Sequence, residues 1–429
     1  MNVLQEGYVV DVPYPTFVHR QMMPSWLTML TQLEGIRGPD IEKPYRYLEL
    51  GCAMGIQLHL NAAANPIGHF VGVDFNPQQL MVAEEGVQTT KNSNIEFIQA
   101  DFESFLEYDI EPFDFIVTHG VWSWISEENQ NFIIKIINKL LKKNGILYCS
   151  YMSHPGATGL TSIQKLMFEM SRNLNGDSAK KAAQSLNLVR AIGNANAGLF
   201  RKIPSLTQEL SELAQDKINY VAHDFLSEYW QPQHSADMIR QFGKIGLSYI
   251  ASAGIMENLN RLTLPVEIQN IIKTLPLITL QETVKDISLN TLQRQDIYIK
   301  ERQQLSQTEL ESVYSNMKFG LLPDAPVGKD LNQDPKIGRI KDAIDYFRKI
   351  LTLLSRQDAS ILELSKDLNQ SLTLRQLTDM VLVLVWAGYI HPLRSDKTIA
   401  AYEKRTNQWM LAQNLKWKCI AKFGSAIEF

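Results

Sequence analysis

The sequence predicts an α/β fold: a largely parallel sheet with helices on both faces, followed by a mostly helical C-terminal region. Three observations carry this. Short apolar runs alternate with amphipathic stretches from Tyr45 to Tyr151, the pattern of consecutive βαβ units. A glycine-rich turn, Glu49-Leu50-Gly51-Cys52-Ala53-Met54-Gly55, joins the first run to the first helix. Carboxylates follow the next two runs, at Asp74 and Asp101.

Residues 1–45 form an aromatic and proline-rich leader with Tyr8, Pro13, Tyr14, Pro15 and Phe17, expected to cap the site. Pro24 and Ser25 start a helix over Trp26–Leu33. Strands are then expected at Tyr45–Leu50, Phe70–Asp74, Ile95–Gln99, Phe113–His119 and Gly145–Tyr151, with helices at Gly55–Ala64, Pro77–Thr89 and Glu127–Leu141. These define a core over 46–155. From Thr161 to Gln215 the pattern is helical, broken at Asn173–Asp177 and Gly193–Gly198. A helix at Ala236–Gly246 leads into a strand at Leu247–Ala253, and Arg294–Lys300 forms another. These read as the sixth and seventh strands of the same sheet, so 156–305 holds helical insertions and the last strands. The Pro-, Gly- and Asp-rich stretch within 306–335 reads as a linker. Residues 336–429 read as a separate, winged-helix-like domain.

At 429 residues the chain has room for two to three domains. With 45% hydrophobic and 21% charged residues it is globular in composition. A net charge of −4 argues against a polyanion binder, so nucleic acid is not an expected partner. Cys52, Cys149 and Cys419 are too scattered for a zinc site or a disulfide framework. No metal is expected, and a cytoplasmic setting fits. The first residues lack a signal-peptide pattern, and no apolar run reaches the roughly 20 residues of a membrane span.

The glycine-rich turn lets the backbone approach a ligand and points helix N–H groups at it. Dinucleotide enzymes use a similar device. Here Glu49 stands before the first glycine, where it would repel a pyrophosphate but suit a cation, and Ala53 replaces the middle glycine. Both features favour S-adenosyl-L-methionine. Asp74 sits where Rossmann-like sites bind ribose hydroxyls. Asp101-Phe102 is placed to bond an adenine amino group and stack on its ring. The expected cofactor contacts are Glu49, Gly51, Cys52, Ala53, Gly55, Asp74, Phe75, Gln79, Asp101, Phe102, His119 and Gly120.

These stretches resemble a known family. Residues 47–80 are similar to class I methyltransferases that carry a methyltransferase regulatory domain, among them rickettsial lysine methyltransferases that act on outer membrane proteins. The leader (8–24), FDFIVTHGVWSWI (113–125) and residues 220–253 resemble that family too. The chain departs from it at Met22-Met23-Pro24, where the family has Thr-His-Pro, and at Tyr151-Met152, where it has Tyr-Asn. The resemblance implies a Rossmann-like class I methyltransferase sheet, backbone contacts near His119 and Gly120 to the methionine amino group, and a protein lysine as acceptor.

Methyl transfer is an in-line displacement, so the enzyme must align the acceptor and exclude water. An amine must be neutral at attack, whereas a hydroxyl needs a base. His119 is the candidate base. Trp122 and Trp124 could shape a pocket for a cation or alkyl amine, with Tyr14 and Tyr151 contributing. Packing against the following helix is the competing reading for both tryptophans. His223, Asp224 and Glu228 are weaker candidates, since charged residues near a helix are usually solvated. No GxSxG, HExxH or Walker motif is present. The rivals are a small-molecule N- or O-methyltransferase and a non-catalytic partner protein that keeps the fold. The C-terminal module is expected to meet substrate, a partner or a second copy of the chain in a homodimer.

Overall fold

The computed structural model describes residues 4–212 and 217–428. Residues 213–215, the end of the expected helical stretch, lie outside them. At the centre is a seven-stranded sheet. Its strands are β1 (Tyr45–Leu50), β2 (Gly68–Asp74), β3 (Ile95–Gln99), β4 (Phe113–Thr118), β5 (Leu141–Met152), β6 (Leu247–Ser252) and β7 (Gln293–Lys300). Their spatial order is β3-β2-β1-β4-β5-β7-β6. The first five run parallel, and β7 runs antiparallel between β5 and β6. All seven expected strands are therefore present in one sheet. The strand order reverses beside β1, and the carboxyl ends there form the crevice in which open α/β sheets bind ligands.

Strand alternation divides the core in two. Tyr47, Phe70, Phe115 and Tyr148 face one layer, and Leu48, Val71, Ile116 and Leu147 face the other. Helix α1 (Pro24–Leu33) starts with Pro24 in its first turn. Helix α2 (Ile56–Ala64) follows the glycine-rich turn. In α3 (Pro77–Thr90), the Asn76 side chain accepts from the N–H groups of Gln78 and Gln79. Helix α4 (Glu127–Leu140) is capped by Ser126, with Glu127 and Glu128 in its first turn and Lys139 in its last, matching the helix dipole.

The insertion holds α5 (Thr158–Ser171), α6 (Ser178–Asn194) and α7 (Ile218–Phe225), which pack on the leader through Val9. Then α8 (Ser235–Gly243) leads into β6. A further helix, α9 (Ile278–Leu289), precedes β7 and brings Glu282 and Asp286 against Arg294.

The linker and the separate C-terminal domain need correction. Residues 306–335 include α10 (Gln307–Asn316), closed by a Ser306/Glu309 capping box, and β8 (Lys318–Leu321). Strand β8 is the centre of a small antiparallel sheet between β9 (Ala359–Ser360) and β10 (Ile390–Pro392). With α11 (Ile344–Leu354), α12 (Ile361–Asp367) and α13 (Leu374–Trp386) this makes a unit of helices on a three-stranded sheet, but one strand comes from the expected linker. The unit is not detached either. Helix α14 (Glu403–Ala412) and the hairpin of β11 (Trp417–Ile420) and β12 (Ser425–Glu428) pack on α2. This explains why α2 is apolar or uncharged all round and wholly buried. His59 of α2 lies 4.6 Å from Trp409 of α14, ring centre to ring centre.

Candidate functional site

A cavity of about 460 Å³ opens at the carboxyl ends of β1, β2 and β4. All of its lining residues fall between Glu6 and Asn129. The leader forms its roof, and the C-terminal module contributes nothing to it.

The floor is the glycine-rich turn. Gly51, Ala53 and Gly55 all have positive φ. Gly55 has φ 66°, and an added Cβ would stand 2.4 Å from the Phe97 ring. It thus sets the turn and the start of α2, and does not itself line the cavity. Gly120, also at φ 66°, has nothing within 4 Å of the place a Cβ would take, leaving its backbone open to a ligand.

Glu49 is buried, and its Oε2 has no hydrogen-bond partner. Burial, and then the charge of Asp74, push its carboxyl up to about 8. Asp74 is tied to the turn: Oδ2 accepts from the Ala53 N–H at 2.8 Å and Oδ1 from the Asn76 N–H at 2.9 Å. Burial raises its carboxyl while those backbone donors pull it back. Asp101 caps the short helix Phe102–Phe105 through Oδ1 and Ser104 N–H, 2.7 Å. It lines the cavity together with Phe102, Phe75, Gln79 and Cys52. An unpartnered acid beside open glycine backbone suits a cationic, amino-acid-like group, and the second and third acids suit a nucleoside.

His119 stacks on His19 of the leader with ring centres 3.7 Å apart. Its Nδ1 pairs with the Tyr148 hydroxyl at 2.7 Å. Burial, and then the neighbouring His19, hold it well below the usual histidine range, so it is a neutral ring at the cavity wall. His19 is likewise pushed down to about 4 by burial. Trp124 and Tyr14 line the cavity. Two of the expected catalytic residues do not. Trp122 is fully buried in the core against Phe242, ring centres 5.4 Å apart; it packs the sheet layer behind the site. Tyr151 points to the opposite face of β5, where its hydroxyl donates to Asp296 at 2.5 Å. Tyr148, three residues earlier, faces the site instead. His223 holds the leader, its Nε2 lying 2.9 Å from the Val12 carbonyl oxygen. Glu228 also meets the leader, through its backbone N–H to Gly7 O at 2.8 Å.

Among the described residues no group of three His, Cys, Asp or Glu could hold a metal ion, and no helix is long and apolar enough to cross a membrane. The three cysteines are buried and unpaired. The helix that would read nucleic acid in a winged-helix protein, α13, is buried along most of its length, and its Asp379 is paired with Arg261.

The strand order with its antiparallel β7, and acids at the ends of β1 and β2 with another just past β3, define a class I methyltransferase. Residues 41–241 match the model of a methyltransferase domain, and residues 217–300 match a predicted methyltransferase regulatory domain. An uncharacterized protein of Rickettsia prowazekii is 32% identical over 221 residues, 51% of this chain and 86% of that protein. One of Synechocystis is 27% identical over 96% of this chain and 81% of its own length. The structure of PKMT2 from Rickettsia typhi in complex with AdoHcy superposes with a TM-score of 0.67, at 23% identity, over 90% of this chain and 78% of that one. The chain belongs to the family of methyltransferases that carry this regulatory domain, enzymes that use S-adenosylmethionine as methyl donor.

Proposed function

We propose that the protein transfers the methyl group of S-adenosylmethionine to an amine, a lysine side chain of a protein. The observation that carries this is the charge of the cavity wall. Glu6, Asp11, Glu49, Asp74 and Asp101 line it beside Tyr8, Tyr14, Phe17 and Trp124, and no Lys or Arg does. Acids and aromatic faces attract an ammonium, whose proton must leave to solvent before the neutral amine attacks. The likeness to PKMT2 and the leader and 220–253 resemblances support a protein acceptor, and the unpaired cysteines suit a cytoplasmic setting. The bound donor supplies an electrophilic methyl on a sulfonium. Glu49 faces its cationic end, Asp74 holds the ribose hydroxyls, and Asp101 with Phe102 meets the adenine. His119 and Gly120 flank the amino-acid part, while the leader keeps water out. The test is labelled methyl transfer in cell lysate: label is expected in protein, and label confined to small molecules would overturn the lysine reading.

Glu49 gives a pH prediction. With its carboxyl near 8, about nine-tenths of it is protonated at pH 7 in the free protein. The cationic donor favours the ionised form, so binding releases close to one proton. Affinity accordingly rises with pH through 7 to 8 and then levels. Calorimetry in buffers of different ionisation heat reads the release directly. Glu49→Gln is expected to abolish it and to weaken the donor about tenfold; an unaltered release assigns the proton elsewhere.

A further inference from the structure

Glu49 has its cation in the donor, but a second buried acid beside the cavity has none. Asp224, on α7 within the regulatory segment, is 6% exposed. Its surroundings are phenols. Burial raises the phenols of Tyr220, Tyr14 and Tyr8, and the charge of Asp224 adds to each. Trp124 fixes the segment by donating its indole N–H to the Asp224 carbonyl oxygen at 3.3 Å. The Tyr14 ring lies 5.0 Å from His223 and 6.5 Å from Tyr220. Among the described residues no Lys, Arg or His forms a salt bridge with Asp224. Burial pushes its carboxyl up to about 7, so the charge is available at neutral pH but unbalanced. A buried carboxylate without a counter-ion is costly to keep, and such groups gather at functional sites. The residues that its helix meets, Tyr8 and Tyr14 beside His223 and Trp124 at the Asp224 carbonyl, all stand in the cavity wall.

We infer that Asp224 is the counter-charge for the acceptor's ammonium: a positioning residue that acts through Tyr8 and Tyr14 to draw a protonated amine against the aromatic wall and to discriminate against neutral side chains. This rests on the amine reading above. It also gives the regulatory segment a share in acceptor selection, although the segment lines no part of the cavity.

The probes are Nα-acetyl-lysine amide and its neutral counterpart Nα-acetyl-norleucine amide, titrated into full-length protein saturated with S-adenosylhomocysteine so that no turnover occurs. The wild type is expected to prefer the lysine amide at least about tenfold. Asp224→Asn is expected to remove most of that preference while S-adenosylhomocysteine binds as before. A preference that survives in Asp224→Asn overturns the role of Asp224 and leaves the amine reading standing. No preference in the wild type overturns the amine reading, and the inference with it. Tyr14→Phe serves if Asp224→Asn fails to fold: it keeps the ring in the cavity wall, removes a hydroxyl that senses the charge of Asp224, and is expected to reduce the preference several-fold. An undiminished preference in that variant also overturns the inference.

Discussion

Asp74→Ala is expected to weaken S-adenosylmethionine binding by about two to four orders of magnitude. The carboxylate has two duties. It accepts from the Ala53 and Asn76 N–H groups, which holds the glycine-rich turn against the end of β2. Its remaining lone pairs face the cavity, where a ribose diol would donate. Hydrogen bonds to a charged acceptor contribute roughly 1.5–3 kcal/mol each. Losing two of them costs about 3–6 kcal/mol, and every 1.4 kcal/mol is about tenfold in affinity. Asp74→Asn keeps an acceptor and the shape, so its loss should be about tenfold smaller. Calorimetry checks both, with thermal unfolding to separate the loss of turn anchoring from the loss of ligand contact. An unchanged dissociation constant in Asp74→Ala would remove Asp74 from the donor site.

The sheet was legible because its signals are local. Each βα unit carries an apolar run, a turn and an amphipathic helix, and the seven runs lie where the sequence puts them. What the sequence hid was long-range. Strand β8 sits in a stretch rich in Pro, Gly and Asp that has the look of a linker; it becomes a strand because β9 and β10 pair with it from 38 or more positions away. The uncharged surface of α2 did hint that something covers its outer side. Which residues cover it, Trp409 among them, only tertiary packing decides.

The site divides in the same way. The acids at strand ends were legible from spacing. The aromatic side was less so, and Tyr151 shows why. In β5, Tyr151 has the parity of Leu147 and Cys149, the layer packed by Ile133 and Ile137 of α4. Tyr148 has the other parity and meets His119. Counting alternation from Ile146 was the available signal. Trp122 and Trp124, two apart, looked equivalent, but the one-turn 3-10 helix Trp122–Trp124 turns one indole into the core and the other toward the cavity. No local pattern brings His19 to the site or sets Asp224 apart from the charged residues near it, because the leader and α7 meet beside the cavity only in the folded chain.

Arg294 is the position where one change should cost most stability. It is 3% exposed on β7, and its guanidinium is fully engaged: Nε to Asp296 at 2.9 Å, Nη1 to Asp286 at 2.7 Å, Nη2 to Glu282 at 2.8 Å and to the Tyr249 hydroxyl at 3.1 Å. Lys285 adds a second cation at Glu282. Together these tie α9 to the antiparallel edge of the sheet. Arg294→Met keeps the apolar stem but strands three carboxylates in a buried setting, so a loss of about 3–5 kcal/mol is expected. The sign with pH follows. Asp296 is already raised by burial, with Arg294 opposing the shift, and Glu282 is held low chiefly by Arg294 against its own burial. Without the guanidinium both move above their unfolded values, so the folded variant binds more protons than the unfolded chain. Its stability then falls as pH rises from the ordinary carboxylate range toward neutrality. The deficit relative to wild type should therefore be larger at pH 8 than at pH 5, read from denaturant midpoints at the two values. A deficit independent of pH would mean that the cluster is held by packing and not by charge. Since β7 lies between β5 and β6 and the regulatory segment holds α7, β6 and β7 together, the same variant should also loosen α7 and the leader contacts that close the cavity.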